Sequence, residues 1–242
     1  MQQRRQVRPI HGLRHVYEVT VPYASQSPVV EDEILMEVHP YAALAYSTAM
    51  VFHNLTNATP QRMYALVSTQ PELTALPPDT QPEDWAGLRL VRGRTPAMIG
   101  SQQVTWVRVA PERYSGVWEY HPYGHGVRVT TPERTLVDGL LQPEYCGGIE
   151  NVFEAWERAR DTLDLNALTQ LVDHLQIGVL RQRVGFILDE LRLPHPRVEQ
   201  WQAATQRGGS SRLVASAPYA SHYSARWNLS INAPVDALTT SP

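Results

Sequence analysis

Lysine is absent from this chain of 242 residues, so all 21 basic side chains are arginine. That absence removes several chemistries together: a phosphate-loop lysine, a Schiff base, a serine–lysine dyad and nuclease motifs that end in lysine. Genomic codon bias gives such a composition, and so does selection for arginine's planar fork, which suits phosphate and carboxylate recognition; composition does not separate the two. Cysteine is nearly as scarce. A single one, Cys146, excludes an intrachain disulfide and every zinc site built on two or more thiolates. Histidine and carboxylate are then the metal ligands left. Long apolar runs are missing too: none approaches the roughly 20 residues of a membrane span. The start, "MQQRRQVRPIHGLRHVYEV", has basic residues with no apolar segment behind them. A cytoplasmic protein with no membrane partner is expected.

What is present suffices for a folded body. Hydrophobic residues make up 43% of the chain, enough to bury a core. The formal net charge of −3 argues against a protein coated in nucleic acid. Charge is uneven, however, because Arg4, Arg5, Arg8 and Arg14 all precede the first acidic residue, Glu18. A local basic arm can contact phosphate whatever the net charge, so these four are nucleic-acid contact candidates; a solvated, frayed terminus is the other reading.

Residues 15–22 alternate as a short strand, and "YASQSP" follows as a linker, which predicts an arm over residues 1–28 and a main domain over 29–242. Helical spacing over 39–55 predicts a helix with Leu44, Met50 and Val51 inward, followed by a strand over 63–68. A Pro- and acid-rich loop comes next, then "LRLVRG", "QVTWVRVA", "GVWEYH" and "GVRVTT" as strands of an antiparallel or mixed sheet. Beyond Pro132 the period becomes helical in four segments, with Thr131 and Asp164 as N-caps, and "RWNLSIN" is a last strand. The fold class is α+β: an N-terminal helix and mixed or antiparallel sheet, a helical subdomain, and a final strand.

The densest polar stretch, "TTPERTLVDGLLQPEYCGGIENVFE", reads as a structural motif. Thr131 caps a helix, Pro132 takes its first position and Glu133 meets the positive end of its dipole. Arg134 and Asp138 are spaced to pair on one face, Thr135 is left to solvent or a neighbour, and Gly147 and Gly148 turn the chain into the next helix. Cys146 has no base near it in sequence. His11 with His15, and His121 with His125, have the spacing of a helical metal pair, but glycine or proline interrupts both. "GGSSR" at 208–212 lacks the acid-x-acid pair of a nucleotidyltransferase, and the acidic groups at 31–33 and 82–84 fall in or beside loops. No catalytic residue, cofactor or metal is expected, so the chain is read as a non-enzyme. Arg158, Arg160, Arg181 and Arg183 form a candidate surface for a partner or nucleic acid, with solvated helix faces as the alternative.

Three segments, in order, resemble the C-terminal domain of the AbiEi antitoxins. "HPYAALAYSTAMVFHNLTNATPQRMYALVST" is similar to its opening helix and strand. "VRVTTPERTLVDGLLQPEYCGGIENVFEAW" resembles that family's "ERTLvDal…P…GG" element. "LRQRVGFILDEL" and "RWNLSIN" resemble its later helix and last strand. The resemblance implies the non-toxic half of a type IV toxin/antitoxin pair, tied to abortive phage infection, that neutralises a nucleotidyltransferase toxin encoded nearby. It also implies a DNA-binding autorepressor with an N-terminal winged helix. Here "RRQVRPIHGLRHVYEV" resembles only the wing and last strand of such a module, so a truncated or absent winged helix is expected, which removes the source of major-groove readout. A DNA-binding transcriptional regulator is the alternative function, and promoter DNA an alternative partner. A nuclease-like enzyme is a third reading.

Overall fold

The computed structural model describes residues 7–19, 29–70, 76–77, 79–88, 92–122, 124–205 and 210–238. The chain is α+β and divides into two compact units that alternate along it: residues 1–44 with 61–129, and residues 45–60 with 130–242.

The first unit is built on a sheet. A separate hairpin pairs β1 (Val7–Pro9) with β2 (Tyr17–Val19), Arg8 standing opposite Glu18. Then comes α1 (Glu31–Val38), and the sheet takes its strands from β3 (Ala43–Leu44), β4 (Arg62–Ser68), β5 (Met98–Ile99), β6 (Gln102–Val109), β7 (Val117–Tyr120) and β8 (Val127–Thr130). Their order is β5-β6-β4-β3-β8-β7, mixed as expected: β4 runs parallel to β6 over seven register pairs, from Arg62↔Gln103 to Ser68↔Val109, while β3 is antiparallel to β4 and parallel to β8. Central strands of a mixed sheet are covered on both faces, and β4 is accordingly buried from Met63 to Ser68 and β8 throughout.

The second unit is helical. It contains α2 (Tyr46–Phe52), α3 (Pro132–Leu141), α4 (Ile149–Ala159), α5 (Leu165–Leu175), α6 (Gly178–Glu190) and α7 (Pro196–Thr205). A small sheet, in the order β10-β11-β9, joins β9 (Ser211–Arg212), β10 (Tyr223–Ser224) and β11 (Leu229–Ser230). Both expected caps are present: Thr131 Oγ1 accepts the Arg134 amide, and Asp164 Oδ1 accepts the amides of Asn166 and Ala167. The core of this unit holds Trp156, Phe153, Leu136, Leu140, Leu168 and Trp227. No described helix is long and apolar enough to cross a membrane.

Several expectations are corrected. Residues 39–55 are not one helix. Pro40 biases His39 away from the helical region, α1 ends at Val38, and Ala43–Leu44 pairs with β4 and β8 before α2 begins at Tyr46, whose φ is +53°. Leu44 and Met50 are buried as expected, but Val51 is 41% exposed. The acids at 31–33 are the first turn of α1, where its dipole favours them. α7 was not foreseen. Half of "LRLVRG", residues 89–91, lies outside the described residues.

Candidate functional site

The polar residues of the central motif converge inside the helical unit. Arg134 Nε donates to both carboxylate oxygens of Asp138, at 2.8 and 2.9 Å, and the two residues are only 3% and 2% exposed. A charge that far from water survives only with its counter-charge in place. Burial pushes the Asp138 carboxyl up, against the pull of Arg134. Thr135 has found its neighbour: its hydroxyl is 2.8 Å from that of Thr130. His53, at the end of α2, places Nε2 2.7 Å from the Thr130 carbonyl. That geometry makes Nε2 the protonated nitrogen, and burial holds the His53 imidazole below its ordinary pKa.

The end of the motif closes the same way. Gly147 (φ +82°) and Gly148 (φ +103°) adopt backbone that disfavours other residues, and Asn151 donates back to the Cys146 carbonyl at 2.6 Å. The Cys146 thiol is fully buried, and its pKa is pushed up first by burial and then by the charges of Asp138 and Glu144. It therefore stays protonated at neutral pH, the opposite of an activated nucleophile. Tyr46 packs edge-on against Tyr145, with ring centroids 5.1 Å apart. Glu133 accepts from the Asp164 amide at 3.4 Å.

The four arginines expected to form one surface are divided. Arg158 is exposed and donates to Asn57 at 3.0 Å, and Arg160 lies 3.7 Å from Glu157. Arg181 is spent on Asp173 at 2.8 Å. Asp173 also accepts from Arg197 at 2.5 Å and from Trp201 Nε1 at 3.0 Å, two partners that the sequence reading missed because α7 was not foreseen. Burial works to raise the Asp173 carboxyl, but those hydrogen bonds and the nearby arginine charges hold it below the usual range. Arg183 is not a surface residue. It is 4% exposed, and it donates to the carbonyls of Leu140 at 2.8 Å and Arg212 at 3.1 Å. Leu140 is in the last turn of α3, so the guanidinium satisfies a helix end that carries partial negative charge. Burial, then Arg212, lowers its pKa to about 10.

The basic arm is only partly described. Arg8 and Arg14 are exposed on the hairpin, where the Arg14 carbonyl accepts from the Arg94 guanidinium; Arg4 and Arg5 lie outside the described residues. Ser211–Arg212 of "GGSSR" forms β9, paired in parallel with β11, while Gly208 and Gly209 lie outside the described residues.

In the sheet unit, His121 acquires partners that its spacing to His125 concealed. Its Nε2 lies 2.8 Å from Asp79 Oδ1 and 3.6 Å from Glu119 Oε1. The Gly126 amide, and then His121, hold the Asp79 carboxyl below the usual range. No sequence period links residue 79 to residues 119–121, so only the fold joins them.

No family model matches the chain, and no curated protein matches it. The crystal structure of the RV2827C protein from Mycobacterium tuberculosis is similar in fold, with a TM-score of 0.57 at 15% identity over 83% of this chain. The chain spans 65% of that protein's length.

Proposed function

We propose that this chain is a non-catalytic cytoplasmic antitoxin of the AbiEi kind, which neutralises a nucleotidyltransferase toxin encoded beside it. The observation that supports this reading is that the segments carrying the resemblance interlock through their polar residues. His53 meets Thr130, Arg183 reaches Leu140, and Trp227 donates to Asp189 at 2.7 Å. These side chains are occupied in holding a scaffold, which is what a protein that works by presenting a surface needs. The test is growth of cells expressing the adjacent gene, with and without this chain, followed by co-purification. Relief of toxicity is the expected result; a toxic neighbour that the chain leaves untouched would sink the proposal.

A second reading, a DNA-binding regulator, is favoured by the exposed Arg8 and Arg14 on the β1–β2 hairpin. Phosphate-led binding falls steeply with salt. Binding to promoter DNA that weakens between low and physiological salt, and weakens at all salts in an Arg8→Ala/Arg14→Ala variant, is the outcome that reading requires.

A further inference from the structure

Asp79, Glu119 and His121 each offer one ligand atom, and the three atoms lie within 4.8 Å of one another. A tetrahedral ion with bonds of about 2.0 to 2.1 Å sets its ligands about 3.3 Å apart. The separations of 2.8 Å and 3.6 Å from His121 Nε2 to the two carboxylates straddle that spacing, so small side-chain rotations admit an ion. The oxygens that would face away from it are already engaged. Asp79 Oδ2 accepts the Gly126 amide at 2.8 Å, and Glu119 Oε2 lies 3.7 Å from Arg128, whose Nη1 donates to the Pro40 carbonyl. Glu119 Oε1 accepts the Asp79 amide at 3.2 Å, which ties the loop to the strand and fixes the pair. Partners of this kind orient metal ligands.

We propose that Asp79, Glu119 and His121 bind a divalent transition-metal ion of zinc's class, with water in the remaining position. The imidazole is the reason for that class: calcium and magnesium prefer oxygen throughout, whereas one nitrogen and two carboxylates suit zinc. The site joins the loop at residue 79 to the strand end at residues 119–121, and is independent of any antitoxin role. The alternative is a plain surface ion pair between His121 and Asp79.

The test is calorimetric titration of the chelator-treated full chain with Zn²⁺, with Co²⁺ absorption as a second readout. Saturable one-to-one binding is expected, with the visible bands of a tetrahedral Co²⁺ site. His121→Ala and Asp79→Asn, both at half-exposed positions and checked for folding by far-UV circular dichroism, should weaken it by about 100-fold or more, since even partners outside the ligand set are worth 10- to 100-fold. His222→Ala, at an exposed histidine of the other unit, should leave it unchanged. No saturable binding, or equal affinity in His121→Ala, overturns the site in favour of the ion pair.

Discussion

Arg134 and Asp138 set the terms at the level of single residues, because each brings into the helical unit a charge that the other offsets. Asp138→Ala leaves the buried Arg134 guanidinium without the Asp138 counter-charge and should cost about 3 to 5 kcal/mol in urea unfolding. The double change Arg134→Met/Asp138→Leu removes both charges, so it is expected to cost clearly less than the single one. Asp32 behaves differently. Burial first, and then Glu31 and Glu33, raise its pKa from 3.8 to about 6. The folded state thus holds this proton more tightly than the unfolded chain, and ionising it costs stability: the penalty is absent below pH 3.8, grows up to about pH 6 and is constant above. Asp32→Asn should therefore raise Tm at about pH 8 and change it little at about pH 3.5. An equal shift at both would rule out the titration as its source. Cys146 makes a third case: its thiol should resist an aromatic disulfide reagent in the native protein and react once the chain is unfolded.

Among the elements, α3 was legible because its start obeys local rules that tertiary structure has no cause to override: Thr131, Pro132 and Glu133 each answer a need of the first turn. The sequence could not show that the Arg134–Asp138 pair lies inward, since the same spacing suits a solvated face. α6 was legible in extent but not in orientation. Gln182 to Leu188 are all buried, so along this stretch the helix has no solvent side, and Arg183 within it turns to carbonyls. α1 and α7 were missed for opposite reasons: the acids of α1 read as a loop, and α7 buries only Val198 and Trp201 among polar neighbours. α6 also carries a sharp test. A Cβ added at Gly185 would stand 2.2 Å from the Trp227 ring. Gly185→Ala should destabilise by about 1 to 3 kcal/mol through overpacking, despite a gain of up to about 1 kcal/mol in helix propensity. Thermal unfolding decides the sign, and a higher Tm would show that the ring can move aside.

For the whole molecule, the α+β class and the mixed sheet could be read from the change of period near Pro132. The alternation of the two units could not, because nothing in residues 45–60 announces that they belong with residues 130–242. Residues 130–242 made alone lack α2, the partner of buried side chains in that unit, and should bind a hydrophobic dye that the full chain does not. The same alternation constrains synthesis. On the ribosome, residues 45–60 emerge early, and their apolar Ala49 and Met50 have no core to enter until the chain beyond residue 130 has been translated. A message cut between those points yields neither unit whole, only a nascent chain with a sticky helix. The coding sequence is therefore indivisible in a way that a tandem arrangement of domains would not be.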